Sequence, residues 1–510
     1  MTRGDLTGAF DDLRGRLAEV MDLGRASELL GWDQQVMMPP RGGAVRAEQL
    51  ATLRKVTHEK FTSAEVGRLL EQLAPFEAEH DYDSYEASLI RVTRCDWEKA
   101  RKVPSELRAA MSRASALAIP VWIDARKNNN FKTFLPVLRE NVELRRQYIA
   151  CFDGDYAEPY DAVLDDFERG MTTAEVRTLF DYVKEHQAPL VKLVADMSLP
   201  EPEPGRVFPI EVQKQFELEV VRRFGFDEQA WRLDPTVHPF ASGMGSQDIR
   251  ITTRYFESNL DGLFATMHET GHGLYEHQVD PLLERSPLGT GTSLGLHESQ
   301  SRMWENLVGR SLPAWSFFFP RLKELFPEAL ARYDLERWYR EINAVKPSLI
   351  RVEADEATYN LHIILRFELE QELLVESFPL EQLPEEWNRR MWEYLGIEVP
   401  NDREGVLQDT HWAIGAIGYF PTYALGNLIS AQLWDAVSVD LPDMQSEFER
   451  GEFDSLRVWL AERLHRHGRK FTPMETLDRA IGTDRIDPEP YVRYLQGKIE
   501  SIYGISAGTS

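Results

Sequence analysis

Cysteine is almost missing from this chain: Cys95 and Cys151 are the only two in 510 residues. That excludes a disulfide framework and a cysteine-based zinc module, and makes a reducing, cytoplasmic interior the expected compartment. Long apolar runs are missing too, since no stretch approaches the roughly 20 residues a membrane span requires. The amino terminus carries Asp5, Asp11 and Asp12 and lacks the basic start, apolar run and small-residue cleavage site of a signal peptide. Positive charge is scarce: 58 Lys and Arg stand against 84 Asp and Glu, for a net charge of -26. A nucleic-acid partner is disfavoured, because displacing counterions from phosphates takes basic patches.

Strand patterns are equally sparse. Only residues 231–253 have strand character, with Asp248-Ile249-Arg250-Ile251-Thr252 alternating polar and apolar. If this segment is an edge strand, it can pair with an extended peptide; the plainer alternative is a small hairpin with Asp248 and Arg250 as a surface pair. Elsewhere apolar residues recur at helical spacing, so the expected fold is all-α with a small β-hairpin or short sheet. Residues 1–85 are expected to form a helical lid, interrupted at the proline- and glycine-rich segment 31–43. Residues 86–200 form a further helical part and 201–510 a catalytic part, and the linker-like stretch 197–205 falls between them. The whole is read as one domain spanning 1–510.

The chain is organised around Met267-His268-Glu269-Thr270-Gly271-His272-Gly273, which contains His-Glu-x-x-His. Residues four apart on a helix share a face, with Cβ atoms roughly 5 to 6 Å apart. His268 and His272 can therefore grip one cation while Glu269 reaches its water. Leu260, Leu263, Phe264, Met267, Leu274 and Tyr275 supply the helical periodicity, and Ser258 with Asp261 reads as its capping start. A catalytic zinc site takes three protein ligands. The metzincin extension needs a glycine at 275 and a histidine at 278, where this chain has Tyr275 and Gln278. Glu276 lies a turn too far along the axis. A glycine-rich turn, 286–295, lets the chain return into a second helix that carries His297-Glu298-Ser299-Gln300, and Glu298 is well placed to complete the site. His297, turned about 100° away, reads as a group that steadies a ligand or faces substrate.

Downstream, 349–375 is a long helical pattern with Arg351, Asp355 and Tyr359 on one face. Arg351 could receive a peptide carboxylate, or form an ordinary i, i+4 pair with Asp355. His411, Tyr419 and Tyr423 follow, and a His with a Tyr near a metal could hydrogen-bond a developing oxyanion.

Six segments agree in order with one family: His238-Pro239-Phe240, the Asp-x-Arg-x-Thr at Asp248, Arg250 and Thr252, the His-Glu-x-x-His at His268, His297-Glu298-Ser299-Gln300, Arg351-Val352-Glu353-Ala354-Asp355-Glu356, and the Gly-x-x-Gln-Asp-x-His-Trp ending at Trp412. The chain resembles the thermostable carboxypeptidase Taq family of metallocarboxypeptidases. The resemblance implies a two-lobed, mostly helical gluzincin-like body with a deep groove, one zinc or cobalt ion per chain, a homodimer, and release of single residues from peptide carboxyl termini. By position, His268, His272 and Glu298 would be ligands and Glu269 the base. Arg351 would anchor the terminal carboxylate, with Arg250, Asp248 and His238 as further substrate-binding residues. His411 and Tyr423 would face the tetrahedral intermediate, with Tyr419 competing for that place. The alternatives are an oligoendopeptidase of the thimet type and a non-catalytic helical scaffold with a structural metal.

Overall fold

Helical periodicity over most of the chain becomes twenty-one α-helices and three short strands among the described residues of the computed structural model. These are residues 3–505 apart from positions 196, 198 and 200, so the linker-like stretch 197–205 lies partly outside them. The chain divides into two contact units. No described helix is long and apolar enough to cross a membrane.

The first unit joins Met1–Arg101, Glu203–Leu335 and Leu433–Arg485. Its N-terminal helix, Arg3–Val36, runs through Gly31 and stops only before Pro39 and Pro40, so the break is narrower than the composition of 31–43 predicts. Proline cannot continue a helix interior, whereas a glycine weakens one by only about 1 kcal/mol. Leu6, Phe10, Leu13 and Leu17 on this helix pack against Leu69, Leu70, Leu73, Leu89 and Ile90, together with Leu283 and Leu288.

The same unit holds the only sheet among the described residues. Strands β1 (Trp231–Pro235), β2 (Ala241–Gly245) and β3 (Asp248–Thr253) take the order β1-β3-β2. β1 runs parallel and β2 antiparallel to β3. The expectation that Asp248–Thr252 offers a free edge is therefore wrong: β3 is central and its main-chain groups are paired on both sides. The surface-pair expectation fits, because Arg250 Nε and Nη2 meet Asp248 Oδ1 and Oδ2 at 2.9 and 3.1 Å.

The second unit joins Lys102–Pro202, Glu336–Gln432 and Ile486–Ser510. Its centre is Glu356–Leu373, a helix buried on nearly every side, with Asn360, His362, Arg366 and Glu370 sealed among its apolar residues. Asp355 caps it, accepting from Ala357 N and Thr358 N at 2.9 and 3.1 Å. The continuous helix expected over 349–375 is thus corrected: Arg351–Glu353 is a separate 3-10 turn. The side chain of Asp355 caps a helix and does not pair with Arg351.

Candidate functional site

The motif helix is Asp261–His277. It begins later than Ser258, with Asn259 Oδ1 accepting from Asp261 N at 3.1 Å. Two glycines set how closely it is approached. A Cβ on Gly271 would come within 2.5 Å of Gln300 O and 2.6 Å of Ser301 Cα, both on the helix Leu294–Arg302. A Cβ on Gly273 would lie 2.3 Å from the Trp231 ring. Backbone contact at Gly271 lets the second helix, capped by Ser293 with Leu296 N at 3.1 Å, bring Glu298 over the two histidines.

The ligand atoms of His268, His272 and Glu298 all lie within 4.8 Å of one another. Glu298 Oε2 is 3.7 Å from His268 Nε2 and 3.5 Å from His272 Nε2. These separations are long for hydrogen bonds. They suit atoms sharing a tetrahedral cation, since two bonds of about 2.0–2.1 Å put their ends roughly 3.4 Å apart. The other face of each ring is engaged as a ligand histidine requires. His268 Nδ1 is 2.8 Å from Glu305 Oε2, and His272 Nδ1 is 2.9 Å from His297 Nδ1. The residues present therefore fit a divalent cation.

Charge around this cluster is highly ordered. Burial works against ionisation of Glu298, but Arg302, His268 and His272 hold it well below the usual carboxylate range. Arg302 Nε donates to Glu298 Oε1 at 2.7 Å. Glu305 is likewise drawn down to about 2, against burial, by Arg302, His268 and Arg310. The two histidines differ because their neighbours differ. Burial lowers His272 to about 4, with His268 and His297 adding to the fall. For His268 burial is outweighed by Glu298 and Glu305, and its pKa rises. Glu269 is only 7% exposed. Burial pushes it up to about 7, opposed by His268 and reinforced by Glu298 and Glu305. A carboxyl poised there can take and return a proton near neutrality.

Arg351, His411 and Tyr423 lie together in the second unit. Arg351 Nε and Nη2 donate to Asp409 Oδ1 at 3.1 and 2.9 Å, and its Nη1 donates to Tyr359 Oη at 3.0 Å. Arg366 Nε donates to Asp409 Oδ2 at 2.7 Å. Two guanidinium groups thus share one carboxylate. Despite burial, these two cations hold Asp409 far below its ordinary range. His411 Nε2 is 3.3 Å from Tyr423 Oη. Burial, with Arg351 and Arg366 adding to it against Asp409, lowers His411 to about 3 and keeps it neutral. The Tyr419 ring packs edge-on against Phe167 at 5.0 Å. Buried Glu370 secures this loop, accepting from Trp412 Nε1, Gly418 N and Tyr160 Oη at 3.0, 2.9 and 2.7 Å.

In the first unit, Arg250 also lies over the Trp32 ring at 4.4 Å, and His238 stands exposed between β1 and β2. Sequence reasoning assigned no part to Arg302, Glu305, Glu276, Asp409 or Arg366. One signal was available: Glu298, Arg302 and Glu305 stand at i, i+4, i+7, a single helix face. Glu305 sits in a π-helical stretch, Met303–Val308, a distortion common at functional sites.

A profile of the carboxypeptidase Taq (M32) metallopeptidase family matches residues 12–499. Thermostable carboxypeptidase 1 of Thermus thermophilus is 39% identical over 97% of this chain and 99% of its own length. Carboxypeptidase 1 of Bacillus subtilis is 36% identical over 97% and 98%. The crystal structure of the M32 carboxypeptidase from Deinococcus radiodurans superposes with a TM-score of 0.94 at 38% identity, covering 98% of this chain and 100% of that one. A Pyrococcus furiosus carboxypeptidase structure gives 0.92 at 36%, covering 96% and 99%. A full-length match of this kind, on a chain whose two helices bring a His-His-Glu set together, places the protein in the carboxypeptidase Taq family as a metallocarboxypeptidase.

Proposed function

We propose that His268, His272 and Glu298 hold one zinc ion, or cobalt in its place, and that Glu269 is the general base for removing single residues from peptide carboxyl termini. A cation held there polarises the scissile carbonyl and acidifies water. Glu269 takes the proton of the attacking water and delivers it to the departing amine. Glu305, donated to by His268 Nδ1–H, keeps the Nε2 lone pair of that ring directed at the cation. The observation that carries these assignments is the convergence of the three ligand atoms within 4.8 Å of one another, with buried Glu269 on the same helix between the two histidines.

Position in the family's motifs assigns Arg351 to the substrate's terminal carboxylate, and the uncompensated positive charge of two arginines on Asp409 supports that role. His411 and Tyr423 take the developing oxyanion by the same carry-over. The 3.3 Å contact between them favours Tyr423 over Tyr419. Arg250, Asp248 and His238 are assigned to substrate binding on motif position alone. Residues 1–85 are assigned the lid, and a cytoplasmic homodimer completes the proposal.

The test is Glu269→Gln. It keeps the metal, measured by elemental analysis of the purified protein, and loses turnover by about 10²-fold or more, the scale of a lost general base. Wild-type peptide hydrolysis by this variant overturns the base assignment.

A further inference from the structure

His272 can present Nε2 to a metal only if its Nδ1 carries the proton, and the group facing that Nδ1 is His297 Nδ1 at 2.9 Å. His297 must therefore accept there and donate from Nε2, which it does to Glu276 Oε1 at 2.8 Å. Glu276 also accepts from Thr290 Oγ1 at 2.7 Å and Gly291 N at 3.1 Å. Its second oxygen, Oε2, lies 3.7 Å from Arg25 Nη2. Arg25 belongs to the N-terminal helix, 247 to 272 residues before the other members (272 minus 25, 297 minus 25). Its guanidinium also donates to Gly289 O at 3.0 Å, in the loop beside Thr290, and to Gly243 O on β2. One cation thus ties together the N-terminal helix, an edge of the sheet and the loop that encloses His297.

On the reading of His272 as a metal ligand, we propose that Arg25 is a positioning residue for the metal, acting through Glu276 and His297 on the tautomer and aim of His272. The N-terminal helix is then part of the apparatus that grips the cation. Because coupling free energies are reciprocal, metal uptake also tightens the docking of this helix. His268 has no such long relay, since Glu305 contacts it directly. The two ligand histidines are held by independent means, one local to the metal helices and one reaching the chain's first helix.

The experiment is equilibrium competition for Zn2+ against a fluorescent chelator, using the full chain. Arg25→Ala and the size-matched Glu276→Gln are expected to weaken Zn2+ binding about 10- to 100-fold, the range for losing such outer partners of ligand histidines. Arg25→Lys, which keeps the charge, restores part of it. Asp22→Ala is the control: it cuts another tether of the same helix, the exposed pair with Arg285 at 3.0 Å, and leaves Zn2+ affinity unchanged. Hydrogen exchange then reads the reverse direction. Zn2+ slows exchange in the second half of Arg3–Val36 in wild type and not in Arg25→Ala. Wild-type affinity in Arg25→Ala and Glu276→Gln, or an equal loss in Asp22→Ala, overturns the inference while leaving the metal site standing. Failure of wild type itself to bind Zn2+ overturns the metal site and the inference together.

Discussion

At the level of single residues, two buried charge clusters make opposite demands. Arg351, Arg366 and Asp409 sum to one positive charge in a place where both arginines are nearly sealed from water, and a buried charge in excess calls for a counter-ion. Arg351→Ala leaves a balanced Arg366–Asp409 pair, so the variant is expected to fold. Loss of a charge-assisted contact of about 1.5–3 kcal/mol then raises KM for free-carboxylate peptides roughly 10- to 100-fold. An unchanged KM removes the anchor role. Glu370 shows the other behaviour. Burial raises its pKa from 4.5 to about 7, against the lowering effect of Tyr160, Gly418, Trp412 and Arg145. Between those two values the folded protein keeps a proton that the unfolded chain has released, so stability falls as pH rises through that window. The slope is at most about 1.4 kcal/mol per pH unit. Denaturant melts from pH 4.5 to 7 should show this slope in wild type and a shallower one in Glu370→Gln; equal slopes would show that Glu370 ionises normally.

At the level of elements, the motif helix meets the helix bearing Glu298 backbone to backbone at Gly271. Gly271→Ala drives a Cβ into the Gln300 carbonyl and Ser301 Cα, backbone atoms with nowhere to go. We expect destabilisation of about 1–3 kcal/mol, typical of overpacking, together with weaker Zn2+ binding, as Glu298 is pushed away from the histidines. Gly15→Ala on the N-terminal helix meets nothing within 4 Å and should stabilise by about 0.5–1 kcal/mol; thermal melts of both variants check the contrast. This region also separates what local sequence encodes from what it does not. The motif helix and the helix bearing Glu298 were legible, because periodic apolar faces and a glycine-rich turn are signals within a few residues. The central position of β3 was not, since strand order depends on which distant segments pair. Arg351 gave the same lesson: spacing offered Asp355 as its partner, while the actual one, Asp409, lies 58 residues on. Helix arithmetic rightly kept Glu276 off the cation but could not show that His297, across the glycine loop, would meet it. The extra residue of the π-helical stretch at Met303–Val308 has no sequence signal that periodicity could expose.

At the level of the whole molecule, the ligand set belongs to one unit only. A metal bound by the native state at 1,000 times its Kd adds about 4.1 kcal/mol to stability. Chelation is therefore expected to lower Tm and to speed hydrogen exchange first in Asp261–His277 and Leu294–Arg302, before Glu356–Leu373. A uniform increase over all three helices would refute local binding at His268, His272 and Glu298. The same unit is assembled from three stretches of chain, and this has a consequence for how the protein is made. Its last stretch closes at Arg485, and His465 within it reaches Gln300 at 2.8 Å, two residues from Glu298. At the 5–20 residues per second of translation, the 384 residues from Arg101 to Arg485 (485 minus 101) take roughly 20 to 80 s to emerge. Leu13 and Leu17 of the N-terminal helix are covered part-way through that interval, once Leu283 and Leu288 emerge, whereas the helix bearing Glu298 waits until near its end for His465.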